Sequence, residues 1–313
     1  MSEYQYYEFR AIDRLLTDRQ MQELRAISTR AAISRTSFSN YYTFGDLKAN
    51  PRDLLVTYFD ASLYFANWLY LEIAFRYPKG AVDVKALRRY AGGHTLEIRS
   101  TAQHVIVAAS VESDGESFDT SDDGSSWLSS LAGLRADIAT GDERAPYLAW
   151  LLDVQCGEIA DSVVEPARPE GLGHLSPALA SFVDIVGLDR DLVAVAGAGD
   201  TNAPSDPAPR DMERWLASLK ADEQLGLLSR VARGDGSVGT EILRRFRRHA
   251  PRRGPSLPLR TVGELRARAE ATAEKRRKAA RDREARDRER REGRRTHRHD
   301  TSCRLQRRRD APR

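Results

Sequence analysis

The sequence predicts an α+β fold in which a small mixed or antiparallel sheet with helices is followed by a helical region and an extended charged C-terminal helix. Three observations support this prediction. In the first 111 residues, apolar and polar side chains repeatedly alternate with the two-residue period of a half-buried strand. From Ser125 onward the apolar spacing becomes helical. The last seventy residues, 244–313, are dominated by charged side chains, with 27 Lys+Arg and 10 Asp+Glu.

The N-terminal segments combine strand and helix signals. Aromatic residues with high strand preference predict a strand at Tyr4–Ile12, and a second extended segment is predicted over 33–43. Thr17, followed three residues later by Gln20, has the spacing of a capping box and predicts a helix start. Pro51 suits the first turn of the next helix. The apolar residues that follow it predict a broad helical face, made of Leu54, Leu55, Tyr58, Phe59, Leu63 and Phe65.

Alternation then predicts further strands. The segment Leu69–Arg76 has a strict two-residue period and is expected to be a half-buried strand. Asp83 is expected to cap a short helix. Two alternating runs, Thr95–Arg99 and His104–Val111, predict a hairpin. Residues 112–124 are rich in Ser, Asp, Gly and Glu and are expected to form an exposed loop.

Composition divides the chain into five predicted parts. An α+β domain covers residues 1–165 and a helical region covers 172–250. A Pro/Gly linker at 251–260 follows, then a solvated Arg/Glu/Ala helix at 261–292 and a disordered basic tail at 293–313. The helix is predicted from its strong helix formers and its recurring acid-to-base pairs at i,i+4 spacing. Gly293 is expected to end it, and the tail has lost the alternating acids and alanines.

The net charge of +4 conceals an acidic body and a basic arm. Residues 1–243 carry 23 basic and 36 acidic side chains, whereas residues 244–313 have a net charge of +17. One hypothesis is an interaction protein whose arm contacts a nucleic acid, another polyanion or an acidic protein partner. The residues expected to begin that contact are Arg244, Arg245, Arg247, Arg248, Arg252 and Arg253. The alternatives are a solvated arm without a specific partner and an arm that contacts the acidic body of its own chain.

Motifs for cofactor, metal or nucleophile chemistry are weak. The run Val193–Gly199 begins like a dinucleotide fingerprint, but Asn202 stands where its third glycine belongs, and Asp189 with Gly197 favours a short helix. We therefore expect no cofactor. Four histidines, at positions 94, 104, 174 and 249, have no paired ligand at metal-site spacing. His297, His299 and Cys303 have such spacing but lie in the predicted disordered tail, which has no fold to fix them, so no metal is expected. An enzyme or small-ligand-binding protein remains the alternative function. Its candidate residues are those on or beside the predicted sheet, namely Glu72, Arg76, His94, Arg99 and His104.

Tyrosines cluster in the first seventy residues, at positions 4, 6, 7, 41, 42, 58, 64 and 70. Tyrosine on strands commonly packs at a sheet surface and hydrogen-bonds at its rim, and an aromatic binding face is the alternative. The most apolar stretch, 54–75, is interrupted by Asp60, Asn67 and Glu72, which argues against a membrane span. With two cysteines and no secretory signal pattern, the sequence predicts a soluble cytoplasmic protein.

The opening segment SEYQYYEFRAIDR at Ser2–Arg14, with Tyr58–Ala61 and Ala66–Trp68, resembles a family of uncharacterised proteins from high-GC bacteria that begin with the same aromatic strand. The resemblance covers residues 1 to about 250 and implies no activity. Members of that family continue beyond the Arg/Glu helix with further packed helices, whereas this chain ends in an Arg/His/Thr-rich stretch. A truncation or a reading-frame change near Gly293 would produce such a departure.

Overall fold

The computed structural model describes residues 4–68, 70–112, 123–199, 209–249 and 260–309. The chain divides into two compact units, Met1–Arg266 and Ala267–Arg313. Most of the loop predicted at 112–124 and nearly all of the linker predicted at 251–260 lie outside the described residues. The parts predicted on either side of residues 166–171 fall within the same compact unit.

A seven-stranded antiparallel sheet forms the centre of the first unit, in the order β2-β3-β1-β4-β5-β7-β6. Its strands are β1 (Gln5–Arg10), β2 (Ala32–Ile33), β3 (Ser37–Tyr42), β4 (Ala61–Ala66), β5 (Tyr70–Pro78), β6 (Leu96–Ser100) and β7 (His104–Glu112). The α+β prediction is confirmed, and the sheet is antiparallel throughout the part of the chain that the structure describes.

Helices before and after the sheet segments complete the fold. Those that lie among the strands in sequence are α1 (Asp18–Ile27), α2 (Pro51–Tyr58) and α3 (Val84–Leu87). Those that follow are α4 (Trp127–Ala139), α5 (Arg144–Cys156), α6 (Pro177–Ile185), α7 (Arg190–Ala196), α8 (Pro209–Ser218), α9 (Ala221–Ala232), α10 (Val238–His249) and α11 (Val262–Arg309).

The sheet is covered on both faces. On one face Phe9 and Phe38 pack with residues of α1 and α2, including Leu24 and Leu55, in one buried cluster. On the other face the aromatic rings of Phe65 on β4 and Trp127 on α4 lie 4.9 Å apart. Because side chains alternate along each strand, the same strands supply both layers of the core.

Several local predictions are confirmed. The capping box of α1 forms, since Gln20 donates its backbone N–H to Thr17 and accepts the backbone N–H of Thr17 in return. Pro51 is the first residue of α2. The hairpin forms as β6 and β7. The run that begins like a dinucleotide fingerprint is helix α7, capped by Asp189.

The predicted continuation of the second helix to Phe65 is wrong. Helix α2 ends at Tyr58, and the residues from Ala61 form strand β4. The change follows from Asp60, whose carboxylate Oδ2 accepts the backbone N–H groups of Ile12 at 2.7 Å and Asp13 at 2.8 Å. These bonds tie the start of β4 to the end of β1, where a helix could not run. All residues of strand β4 except the partly exposed Tyr64 are buried, so the strand shows no alternation in sequence.

The part of the basic arm at the start of helix α11 is anchored in the first unit. The guanidinium of Arg260 contacts the carboxylate of Glu165 through two hydrogen bonds of 2.8 and 2.9 Å, and both residues are buried. The hydroxyl of Tyr147 also donates to Glu165. Val262 and Leu265, in the first turn of α11, are fully buried. The prediction that the arm is solvated from residue 261 is therefore wrong for this turn.

Helix α11 also extends further than the sequence predicts. It continues through Gly293 to Arg309, where the prediction placed its end at 292. A glycine inside a helix costs only about 1 kcal/mol relative to alanine. The arginines and other residues that surround Gly293 are compatible with a helix.

The anchor predicts a large stability effect. Replacing Arg260 by Ala leaves the Glu165 carboxylate buried without its cationic partner. We expect the free energy of unfolding to fall by about 3–5 kcal/mol, as when one partner of a buried ion pair is removed. Urea unfolding of the full chain measures this change.

The matched control is Arg190→Ala. Arg190 pairs with Asp184 at 2.6 Å, but both side chains are more than half exposed. An exposed pair contributes at most about 1 kcal/mol. Equal losses in the two variants would contradict the anchoring role of Arg260.

Candidate functional site

Four tyrosines form a row across four neighbouring strands of the sheet. Tyr7 on β1 lies directly opposite Tyr64 on β4, and their rings stack with centroids 4.6 Å apart. Tyr42 on β3 meets the ring of Tyr7 edge-on at 5.8 Å. Tyr70 on β5 lies 5.6 Å from Tyr64 at a tilt of 50°. The alternation of side chains along the strands places all four on one face, where cross-strand aromatic pairs stabilise the sheet.

The hydroxyls at the centre of this row are held by short polar contacts. Tyr7 donates its hydroxyl to Asp46 Oδ1 at 2.8 Å, and Tyr64 donates to Gln5 Oε1 at 2.9 Å. The amide of Gln5 also donates to the carbonyl oxygen of Gly45 at 3.4 Å. The loop that contains Gly45 and Asp46 is thereby attached to the tyrosine row, and the rings are fixed in orientation.

The environment keeps these phenols protonated. Burial, followed by the hydrogen bond to Asp46, raises the pKa of Tyr7 far above its ordinary value near 10. Burial also raises the pKa of Tyr64. The pKa of Tyr70 is raised by burial and then by the negative charge of Glu72. The hydroxyls therefore act as hydrogen-bond donors throughout the physiological pH range.

A charged group adjoins the row at the N-terminus of α2. Arg52 Nη2 contacts Glu97 on β6 at 2.6 Å and reaches Glu72 on β5 at 3.4 Å. Arg52 Nη1 is buried, and no partner for it is found in the part of the chain that the structure describes. Asn50 caps the helix, because its side-chain oxygen accepts the backbone N–H of Arg52 at 2.9 Å.

An open cleft lies between the tyrosine row and the start of α2. Its volume is about 410 Å³, within the range of small-molecule sites. The residues that line it are Tyr7, Asn50, Pro51, Arg52, Tyr64, Tyr70 and Glu72. The cleft thus combines three aromatic rings with one guanidinium, one carboxylate and one amide.

The four described arginines of the predicted polyanion surface lie on α10 and contact other residues of the first unit. Their partners are the carbonyl oxygens of Gly80 and Ala81 for Arg244, Glu241 for Arg245, Thr140 for Arg247 and Asp83 for Arg248. Burial lowers the pKa of Arg244. Arg252 and Arg253 lie outside the described residues. Each of these four guanidinium groups therefore has at least one partner within the first unit, although Arg245, Arg247 and Arg248 remain exposed.

The candidate catalytic residues on the sheet do not converge. Glu72 lies in the cleft, and Arg99 contacts the nearby Glu97. Arg76 is buried and paired with Asp60, while the exposed His94 lies 3.3 Å from Glu158. Burial, and then the positive charge of Arg76, lowers the pKa of His104. The structure brings Glu72 and Arg99 to one region and Arg76 and His104 to another, and His94 lies apart from both.

The residues that the structure describes contain neither a metal-binding cluster nor a membrane-spanning helix. Among them, no three His, Cys, Asp or Glu side chains are grouped so that they could hold a metal ion. The helices in the same ranges include none with the length and apolar character needed to cross a membrane.

Sequence reasoning identified the tyrosines and Glu72 but did not place them in one site. It missed Arg52, Glu97 and Asp46, which approach the tyrosines only in the folded chain. The one local signal was Asn50-Pro51, since Asn is a preferred N-cap and Pro a preferred first helical residue. That dipeptide marks the start of a helix near the tyrosine strands.

Comparisons with protein-family models, with curated proteins and with solved structures give no match. The resemblance to the high-GC bacterial family therefore rests on its motifs and stays a prediction.

The raised pKa of Tyr7 predicts a loss of stability at alkaline pH. The folded pKa lies above the unfolded value near 10, so the stabilisation is complete below pH 10 and is lost as the pH rises towards the folded pKa. The Tyr7→Phe variant has no hydroxyl to titrate at position 7, so this residue no longer contributes to the loss of stability at alkaline pH. We expect the pH slope of the unfolding free energy above pH 10 to become shallower by up to about 1.4 kcal/mol per pH unit.

Urea unfolding between pH 8 and pH 11 measures both slopes. Phenylalanine retains the ring stack with Tyr64, so the variant isolates the hydroxyl. If the unfolding free energies of the wild type and Tyr7→Phe fell with the same slope above pH 10, the Tyr7 phenol would not be a source of the alkaline loss of stability.

Proposed function

We propose that the sheet domain binds a small organic molecule in the tyrosine-lined cleft. The observation that carries this proposal is the open volume of about 410 Å³ bounded by the rings of Tyr7, Tyr64 and Tyr70. Ligand sites are typically concave and lined by aromatic residues with a few well-placed polar groups. Glu72 and Asn50 supply such polar groups here.

Preorganisation supports the proposal. The stack of Tyr7 on Tyr64 and the hydrogen bonds to Asp46 and Gln5 hold the rings in place without a ligand. A ligand that docks against these rings therefore loses its own freedom but does not need to order the site. Such rigidity increases affinity by reducing the entropic cost of binding.

The distribution of aromatic residues on this face also supports binding. Where α1 and α2 cover the sheet, the core residues are Phe9 and Phe38, both fully buried. Beyond the start of α2, the residues are Tyr64 and Tyr70, both partly exposed. Tyrosine at an uncovered position presents an apolar ring together with a hydroxyl at the water-facing end.

A ligand panel tests the proposal. We expect at least one of glucose, choline and benzoate, or a close analogue, to shift the NMR signals of the full-length protein saturably. Tyr64→Ala removes the central ring of the cleft and is expected to weaken that binding at least tenfold. Titration monitored by NMR gives both dissociation constants.

The control is Tyr58→Ala, because Tyr58 lies on α2 and does not line the cleft. If Tyr64→Ala fails to fold, Tyr64→Phe takes its place. It retains the ring and should keep most of the affinity. Binding unaffected by any substitution in the cleft, or no binding of any compound class, would contradict the proposal.

A second candidate function is contact with a polyanion through α11. Residues 267–309 contain 18 Lys+Arg and 8 Asp+Glu, and α11 covers all of them. A helix with this excess of positive charge favours binding to phosphates through counterion release. Because Arg244, Arg245, Arg247 and Arg248 already contact the first unit, we assign this role to the basic residues of α11 beyond Arg266.

Salt dependence tests the second candidate. Replacing Lys275, Arg277, Lys278 and Arg281 by Gln in the full chain removes four positive charges. If these residues contact phosphates of a DNA duplex, the slope of log affinity against log salt should fall by about 0.9 for each lost contact. Fluorescence anisotropy measures the slope.

The matched control replaces the exposed Lys48 and Lys85, which belong to the first unit, by Gln. The expected slope of that variant equals that of the wild type. An unchanged slope in the α11 variant, with its helix content intact by circular dichroism, would exclude α11 as the phosphate-binding segment.

A further inference from the structure

The geometry points to a small organic cation, such as an alkylammonium or quaternary ammonium compound, as the ligand class of the tyrosine-lined cleft. This inference rests on the proposed binding function and adds the charge of the ligand. It follows from the aromatic rings of the cleft, from the weak pairing of Glu72 and from the lack of free backbone N–H groups at the start of α2.

The rings provide a negative surface. The faces of aromatic rings carry negative partial charge, and a cation within about 6 Å of the ring centroid is attracted to them. Tyr7 and Tyr64 stack at 4.6 Å and Tyr70 lies 5.6 Å from Tyr64 at a tilt of 50°, so they form an aromatic wall in which the ring surface not used in these contacts borders the cleft. The fixed hydroxyls of Tyr7 and Tyr64 keep that wall in one orientation.

Among the residues that the structure describes, Glu72 is the one carboxylate that lines the cleft, and its contacts are weak. Its side chain is 19% exposed, and its two closest polar contacts are long, with Arg52 at 3.4 Å and the hydroxyl of Tyr70 at 3.5 Å. A carboxylate offers about four acceptor positions. Arg52 binds Glu97 more closely, at 2.6 Å. Glu72 therefore retains acceptor capacity towards a ligand in the cleft.

The surrounding charges do not compensate for Glu72. Glu97 contacts two guanidinium groups, those of Arg52 and Arg99. Asp46 accepts hydrogen bonds from the neutral hydroxyl of Tyr7 and from a backbone N–H, so those bonds leave its charge in place. Three carboxylates in and beside the cleft thus face two guanidinium groups, and a bound cation would balance the difference.

The backbone at the start of α2 does not offer an anion site. Pro51 has no N–H group, and the backbone N–H of Arg52 is bound by the side chain of Asn50. The next two backbone N–H groups, of Asp53 and Leu54, donate to the carbonyl oxygen of Asn50 at 3.1 and 3.2 Å. Every N–H group of the first turn is therefore used. Arg52 Nη1 is buried and inaccessible to solvent, and Arg52 Nη2 is engaged by Glu97 and Glu72.

A pair of isosteric probes tests the inference. Choline and 3,3-dimethylbutan-1-ol have the same shape, but only choline is charged. We expect the full-length protein to bind choline at least tenfold more tightly than the alcohol, as measured by isothermal titration calorimetry and NMR titration. Glu72→Gln, which removes the charge and keeps the size, should weaken choline at least fivefold and weaken the alcohol by a smaller factor, so that the preference for choline falls.

Glu23→Gln is the matched control. Glu23 also contacts one arginine, Arg19, and one tyrosine hydroxyl, that of Tyr58, but it lies on α1 away from the cleft lining. We expect its affinity for choline to equal that of the wild type. If Glu72→Gln fails to fold, the comparison of the two probes on the wild-type chain still decides the question.

The outcomes separate this inference from the proposed function. Equal binding of choline and the alcohol, or binding of glucose or benzoate in preference to both, would overturn the cation inference and retain a ligand-binding cleft. No saturable binding of any probe would overturn both. If the wild type binds choline more tightly than the alcohol but Glu72→Gln binds choline equally well, the cation does not lie beside Glu72. That result would overturn the assignment of Glu72 as its partner.

Discussion

The arrangement of the sheet depends on the carboxylate of Asp60. It is fully buried, accepts backbone N–H groups at the end of β1, and pairs with Arg76 on β5. Arg135 on α4 reaches the same group, with its Nη2 atom 3.9 Å from Asp60, and also binds Asp13 at 2.6 Å. Burial alone would raise the pKa of Asp60, but the two backbone donors and the charge of Arg76 outweigh burial and lower it. The ionised Asp60 carboxylate thus joins strands β1, β4 and β5 to helix α4, which packs on the face of the sheet opposite α1 and α2.

The position of Asp60 also explains why a cleft exists. Helix α2 stops at Tyr58, so it has eight residues and a length of about 12 Å. Seven strands at a spacing of about 4.8 Å span roughly 29 Å, and α2 covers only part of that width. The face beyond its N-terminus holds Tyr64, Tyr70 and Glu72. Had the chain remained helical to Phe65, the strand that carries Tyr64 would not exist.

Local chemistry in the sequence was sufficient to predict most of the fold but not the site. Alternation predicted β5 and the β6–β7 hairpin, and the capping box predicted α1, because these signals involve neighbouring residues. Strand β4 could not be predicted, because nearly all of its residues are buried. Its sequence therefore shows neither the two-residue period of a half-buried strand nor the period of an amphipathic helix. The pair of Glu165 and Arg260 spans 95 positions of sequence and leaves no local pattern. The tyrosines were recognised as a cluster, but their cleft depends on the chain fold that places α2 beside them.

The edges of the sheet have a consequence for how this protein behaves at high concentration. One edge is β2, which has two residues, and the other is β6, which has five and carries Glu97 and Arg99. Short or charged edge strands are poor templates for intermolecular strand pairing. The sheet can therefore keep one face partly open to water while neither edge recruits further chains into an aggregate.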